Sequence, residues 1–454
     1  VRLVGSEMCI RDRNYSAMAS SVIDAIVEFL RRNPASSTEL ASYCDCDRST
    51  VTRQLKLLEI KLVATGRARS TRYYLRRGYD SDTALYRVSE AGHAEHFGTM
   101  VAVMPNGYVV KTSGDVDYVY YDDLPWWLQD LRPQGFLGRN LAKALFKRGI
   151  VVTDDIDYWK DQDIFQALLH AKGDSPGNLL IGQLSYQEWL QHDPVALSED
   201  DFNRLAADAM AGEVVGSSAG GEQPKFCAYV DGKHRLVKFT EPVVNANSQR
   251  WADLLLAEYL ALKTLAGSGI TATNSTIIRR EQRTFLSCER FDRIGVLGRK
   301  GLVSLRMVDM QFVGKPAEWP VIAQYLLQDK RISAVDAEAI AVIWCFGRLI
   351  ANTDMHTGNL SFYLSKDMSL SLAPVYDMLP MAFAPLRSGA MASTYTLSVT
   401  AEAQGKHWRQ AYAMAEQFWG ALANHADISS EFRGIVQSMQ IELQNKKQLI
   451  ERMA

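Results

Sequence analysis

Apolar positions recur at helical spacing from Ser20 to Arg32, at Val22, Ile23, Ile26, Val27, Phe29 and Leu30, until Asn33-Pro34 breaks the run. Ser36 and Glu39 then stand at capping-box spacing, which predicts a short second helix. After the Cys44-Asp45-Cys46 turn, Asp47 or Ser49 can cap a third helix over 50–60, with Val51, Leu55 and Leu58 facing inward and Arg48, Thr52, Arg53 and Lys56 outward. Residues 62–75 alternate around a basic tip containing Gly66, the pattern of a two-stranded wing. Three helices and a wing predict a winged helix-turn-helix over 14–80.

The pattern is weaker from 84 to 200. Gly107–Val110 and Asp117–Tyr121 suggest strands, Trp126 and Trp127 a packed aromatic turn leading into a helix, and Leu179–Gly182 a further apolar strand. It strengthens again over 201–454. Residues 226–230 and 235–239 form a hairpin with Asp231-Gly232 at its turn, followed by a helix over 250–265 and a strand over 284–293. A helix over 335–350 and a hairpin over 360–373 come next. Small-lobe elements are expected at 212–295 and a helical large lobe at 300–454.

A chain of 454 residues has length for about three domains of roughly 100–200 residues each. Its net charge of −2 excludes a uniformly basic coat but allows a local patch. Such a patch spans Arg48, Arg53, Lys56, Lys61, Arg67, Arg69, Arg72, Arg76 and Arg77, with Glu59 the only acid between its ends. On a winged helix this charge fits duplex DNA, through Arg48, Thr52, Arg53, Lys56, Arg67, Arg69 and Arg72; a protein-interaction domain is the other reading. Six scattered cysteines make no disulfide framework and suit a cytoplasmic protein, while Cys44 and Cys46 without a second pair make no zinc signature. No apolar run approaches the roughly 20 residues of a membrane span, so no membrane partner is expected. Residues 1–13 resemble a non-native tail, with the natural chain expected to begin near Met18.

The chemistry concentrates in Asn352-Thr353-Asp354-Met355-His356-Thr357-Gly358-Asn359 and Tyr376-Asp377. A carboxylate, an amide five residues on and a second carboxylate after a hairpin match the layout of a kinase phosphoryl-transfer centre. Asp354 is the expected general base, and Asn359 and Asp377 the expected Mg²⁺ ligands. His356 is expected to brace the loop. Lys238, an ammonium among apolar neighbours on a strand, needs an anionic partner and stands where kinases place their phosphate-binding lysine. Glu258 is either that partner or an ordinary surface charge. Glycines 216, 220 and 221, ahead of Lys225, can bring backbone amides close to phosphate; alone they equally fit an ordinary loop. Residues Glu289 to Phe291 suit either a hinge offering backbone groups to adenine or a salt-bridged corner.

Taken together, Ser217-Ser218-Ala219-Gly220-Gly221, Gln223-Pro224-Lys225, Glu289-Arg290-Phe291-Asp292-Arg293, Asn352-Thr353-Asp354-Met355-His356, Asn359 and Tyr376-Asp377 resemble the HipA family of bacterial serine/threonine kinase toxins. The resemblance covers roughly 95–454. It implies an α+β, two-lobed protein-kinase-like fold behind the winged helix, with ATP and Mg²⁺ as cofactors and growth arrest by phosphorylation of a protein hydroxyl. An aminoacyl-tRNA synthetase or another translation factor is the implied class of substrate. It places Lys238, Ser217, Ser218, Gly220, Gly221, Lys225, Glu289, Phe291, His356 and Tyr376 at the nucleotide, and autophosphorylation at Ser217 or Ser218. The family also implies an antitoxin partner, although this chain differs in carrying a DNA-binding-like module of its own. Two alternatives from other classes are a transcriptional regulator that only senses nucleotide and a DNA-processing toxin.

Overall fold

The computed structural model describes residues 22–78, 82–170, 174–212, 223–386 and 388–453. The chain divides into two compact units that interleave along the sequence. One comprises the chain up to Arg87 with Glu95–Pro125 and Leu180–Gln187; the other comprises Val88–Ala94, Trp126–Leu179 and Glu188 onward.

The first unit opens with helices at 22–32, Ser37–Tyr43 and Arg48–Leu57, followed by antiparallel strands Leu62–Thr65 and Arg72–Leu75. Their amphipathic spacing buries Ile26, Leu30, Leu40, Val51, Leu55 and Leu58 in one small core. The capping box forms: Glu39 N–H donates to the Ser36 hydroxyl at 3.3 Å, and Ser36 N–H to the Glu39 carboxylate at 2.6 Å. Strands Asp82–Val88, Ala94–Ala102, Tyr108–Thr112 and Val119–Tyr121 lie in sequence order across a neighbouring sheet. Tyr74 of the small hairpin stacks on Tyr120 of that sheet at 5.0 Å, beside buried Val63, Val101, Val103 and Val109. Strand Ala94–Ala102 is absent from the hydrophobic pattern because Glu95, His96 and Gly98 interrupt any alternation.

The second unit is mixed helix and strand. A five-stranded sheet runs in the order Ser275–Arg280, Arg283–Glu289, Lys233–Phe239, Lys225–Val230, Ala196–Leu197. Asp231 and Gly232, both at positive φ, make the predicted two-residue hairpin turn. Helix Ala246–Gly267 follows, capped by Asn245, whose side chain accepts from Ser248 N–H at 2.9 Å. Its buried Arg250 donates to the carbonyls of Phe383 and Ala392 and pairs with Glu431 at 2.6 Å, while Asp253 accepts from Ser429 N–H at 2.9 Å. These bonds fix the helix to the start of the C-terminal helix Ser430–Arg452. Helices Leu305–Phe312, Trp319–Gln328, Ala334–Leu349 and Gly405–Asn424 enclose a large apolar core around Trp319, Trp344, Trp408 and Trp419. Among the described residues no helix is long and apolar enough to cross a membrane.

Candidate active site

Lys238 projects from strand Lys233–Phe239 to the buried Glu258 of helix Ala246–Gly267, with Nζ at 2.7 and 2.8 Å from the two carboxylate oxygens. The same ammonium donates to Asp377, whose side chain stays 27% exposed. Lys225 lies directly opposite Lys238 on the neighbouring strand and is itself buried. Direct cross-strand partners share a sheet face, so two ammonium groups and two carboxylates occupy one region. Burial works against the charge on Lys238, but Asp377 and Glu258 outweigh it and raise its pKa. Burial likewise pushes the Asp377 carboxyl up, yet Lys238 and Lys225 hold it below the usual carboxylate range. For Glu258 burial wins over Lys238 and the pKa rises; for Lys225 burial wins and the pKa falls.

The loop that follows helix Ala334–Leu349 carries Asp354, His356 and Asn359. Ala351 takes a left-handed backbone, and Asn352 N–H reaches back to the Gly347 carbonyl at 2.9 Å, which ends the helix in a tight six-to-one turn. Asp354 is 53% exposed, and the His356 Nε2 stands 3.9 Å from its carboxylate. The other ring nitrogen of His356 accepts from Gly358 N–H at 3.0 Å, so this histidine braces its own loop. Asn359 turns its amide nitrogen to the Asp354 carbonyl at 2.7 Å, which leaves the amide oxygen as the atom it can present to a ligand. That oxygen and the Asp377 carboxylate are both oxygen donors, the type of ligand a hard cation such as Mg²⁺ takes. Asp377, a non-glycine residue, sits at φ 53°, and strained backbone of this kind concentrates at functional sites.

Positions 289–293 are divided between two jobs. The N–H groups of Glu289 and Arg290 donate to the carbonyls of Asn274 and His234, and the Phe291 carbonyl accepts from the Tyr363 hydroxyl at 3.2 Å. Arg290 and Arg293 enclose Asp292 and Asp174, with Arg290 2.6 Å from Asp174 and Arg293 2.7 Å from Asp292. The salt-bridged corner therefore exists. The Phe291 ring meanwhile lies 5.7 Å from the Tyr376 ring, on the side of the site. Burial would raise the carboxyls of Asp174 and Asp292, but the two guanidinium groups reverse this and hold Asp174 at about 2.

Two family descriptions match the chain: "YjjJ-like toxin, middle domain" over 79–190 and "HipA-like C-terminal domain" over 217–446. Toxin YjjJ of Escherichia coli (strain K12) is 41% identical over 446 residues, covering 94% of this chain and 99% of that protein. The chain belongs to the HipA family, as a YjjJ-like toxin. HipA of Shewanella oneidensis MR-1, solved with HipB and its operator DNA, shares the fold at a TM-score of 0.54 and 14% identity, over 81% of this chain and 98% of that one.

The HipA-like match contains every nucleotide-site residue anticipated from sequence. Lys238, Lys225 and Asp377 come together, with Asp354, His356 and Asn359 on one loop and Phe291 beside Tyr376. Ser217, Ser218, Gly220 and Gly221 lie outside the described residues. Sequence reasoning passed over Gly347: a methyl there would collide with the Met355 sulfur, so this glycine lets the loop settle onto the helix. A lone glycine inside an otherwise apolar helix was the available signal.

In the first unit, the residues expected at DNA separate into two groups. Arg48 donates to the Ser37 hydroxyl at 2.9 Å, and the Thr52 hydroxyl back-bonds to the Arg48 carbonyl at 2.8 Å. Arg67 pairs with Asp117 at 2.9 Å, and Arg72 reaches the Pro34 carbonyl at 3.0 Å. Arg53, Lys56 and Arg69 are exposed and enter no ion pair among the described residues.

Proposed function

We propose that the chain is an ATP- and Mg²⁺-dependent protein serine/threonine kinase of the growth-arresting toxin type, with the two-lobed kinase architecture in its second unit. The observation that carries this reading is Lys238, held by buried Glu258 and touching Asp377, because a lysine is thereby poised between a helix carboxylate and a metal-type carboxylate. When bound, ATP supplies the phosphoryl group, and Mg²⁺ neutralises the charge on its phosphates. Asp377 and the Asn359 amide oxygen would hold the metal, while Lys238 and Lys225 offer positive charge to phosphate oxygens. The Glu289 carbonyl and the Phe291 N–H are the backbone groups proposed to meet adenine, beside the Phe291 and Tyr376 rings. Asp354, exposed enough to meet a macromolecular hydroxyl, orients it and takes its proton. Ser217 or Ser218 is the proposed site of autophosphorylation.

The N-terminal three helices and hairpin are proposed to be a winged helix that binds duplex DNA. Arg53 and Lys56 on the exposed face of helix Arg48–Leu57, with Arg69 at the hairpin tip, support this, since they enter no ion pair among the described residues. Incubation of the whole protein with ATP and Mg²⁺, read by intact mass, tests the kinase reading. Added phosphate in the parent and none in Asp354→Gln is the expected result. A parent that transfers no phosphate to itself or to lysate proteins would reject the kinase in favour of a nucleotide-sensing regulator.

A further inference from the structure

The hydrogen bonds around the candidate site close into a ring. Asp354 N–H donates to the Asn352 amide oxygen at 3.0 Å, and the Asp354 carbonyl accepts from the Asn359 amide nitrogen at 2.7 Å. Next to Asn359, the Gly358 carbonyl accepts from the Tyr376 hydroxyl at 3.1 Å, and that hydroxyl also meets the Ser361 hydroxyl at 2.7 Å. Tyr376 leads covalently into Asp377, whose carbonyl accepts from the Asn352 amide nitrogen at 3.4 Å, completing the circuit. The three groups assigned to chemistry all belong to it, yet the Asp354 and Asp377 carboxylates take no part in closing it. Asn352 and Tyr376 are the side chains that carry it between the loop and the 376–378 segment. Asn352 is buried, and its own N–H is tied to the end of the preceding helix.

We infer that Asn352 and the Tyr376 hydroxyl are positioning residues that set the spacing between Asp354, Asn359 and Asp377, and this rests on the kinase reading above. An amide suits the Asn352 position because it must accept from one backbone segment and donate to the other. A carboxylate there would face the Asp377 carbonyl with no proton to give. The Tyr376 ring has a separate use against Phe291, which phenylalanine would retain. Groups that orient metal ligands from behind act on the metal and on the rate, rather than on nucleotide contacts made elsewhere.

The test uses the full chain with Tyr376→Phe and Asn352→Asp. Two quantities are read: the single-turnover rate of self-phosphorylation, and the affinity for the non-hydrolysable analogue AMP-PNP by calorimetry with and without Mg²⁺. The expected result is a rate lower by about 10- to 100-fold, with a matching loss of the tightening that Mg²⁺ gives to analogue binding. That tightening is a ratio of two affinities measured on the same variant, so a change in nucleotide contact common to both arms cancels, and general loosening of the fold would not reduce it. If Asn352→Asp fails to fold, Tyr376→Phe alone decides. Parental rate and parental Mg²⁺ enhancement in the folded variants would overturn the inference while leaving the kinase intact. A parent with neither phosphate transfer nor Mg²⁺ enhancement removes both.

Discussion

The chain uses cationic side chains in two opposite ways. Around Lys238 the charges are buried, matched by carboxylates and fixed to within hydrogen-bonding distance. On helix Arg48–Leu57 and the hairpin tip they are exposed and, at Arg53, Lys56 and Arg69, free of ion pairs among the described residues. A buried charge has lost its water, so each partner is indispensable and dissolved salt screens little. An exposed charge keeps its water, contributes little alone and acts at a distance that salt shortens. Chemistry on a phosphate needs the first arrangement, and attraction to a polyanion needs only the second.

Removing one partner of the buried set is the harshest way to probe this contrast. Glu258→Ala leaves buried Lys238 with Asp377 as its one carboxylate partner among the described residues; a loss of about 3–5 kcal/mol is expected. It should appear as a large fall in melting temperature that added salt does not restore. Asp354→Gln probes the exposed end of the same site: melting should match the parent, while phosphate transfer falls by about 10²- to 10⁴-fold. Retained transfer in that variant would remove Asp354 from its role. Gly347→Ala must displace the flexible Met355 thioether, so melting should stay within about 1 kcal/mol of the parent, helix propensity offsetting the crowding, while transfer slows and DNA affinity does not change.

The exposed charges should respond differently. Neutralising Arg53, Lys56 and Arg69 together should leave melting unchanged and reduce the salt slope of DNA binding by about one for each phosphate that is no longer neutralised. An unchanged slope would assign this face to a protein partner. Acid gives the smallest and most gradual effect. Asp174 and Asp292 have folded pKa values below the ordinary 3.8, so their contribution is complete above that value. It is lost as the pH falls from about 4 towards 2, and thermal melts across that range should show it.

Local patterns in the sequence carried much of this architecture. The capping box at Ser36 and Glu39, the Asp231-Gly232 turn and the helix ending near Ile350 each depend on neighbours within a few residues, and each formed. The site was legible as types and spacing, because Asp354 and Asn359 share one loop. Its assembly was not. The hydrogen bond between Lys238 and Asp377 spans 139 residues, and Asp174 meets Arg290 across 116. No periodicity reports such distances. Asn352 stood in the recognised motif without a role, because only the fold reveals which backbone groups its amide joins.

The separation between Lys238 and Asp377 also sets a schedule during synthesis. A ribosome adding about 5–20 residues per second delivers Asp377 on the order of 10 s after Lys238. The anchors of the Glu258 helix, Ser429 and Glu431, arrive later still. A nascent chain thus carries the lysine and its glutamate long before the carboxylate that completes the set. If the product arrests growth, its candidate catalytic centre cannot assemble until Asp377 and then Ser429 and Glu431 have left the ribosome.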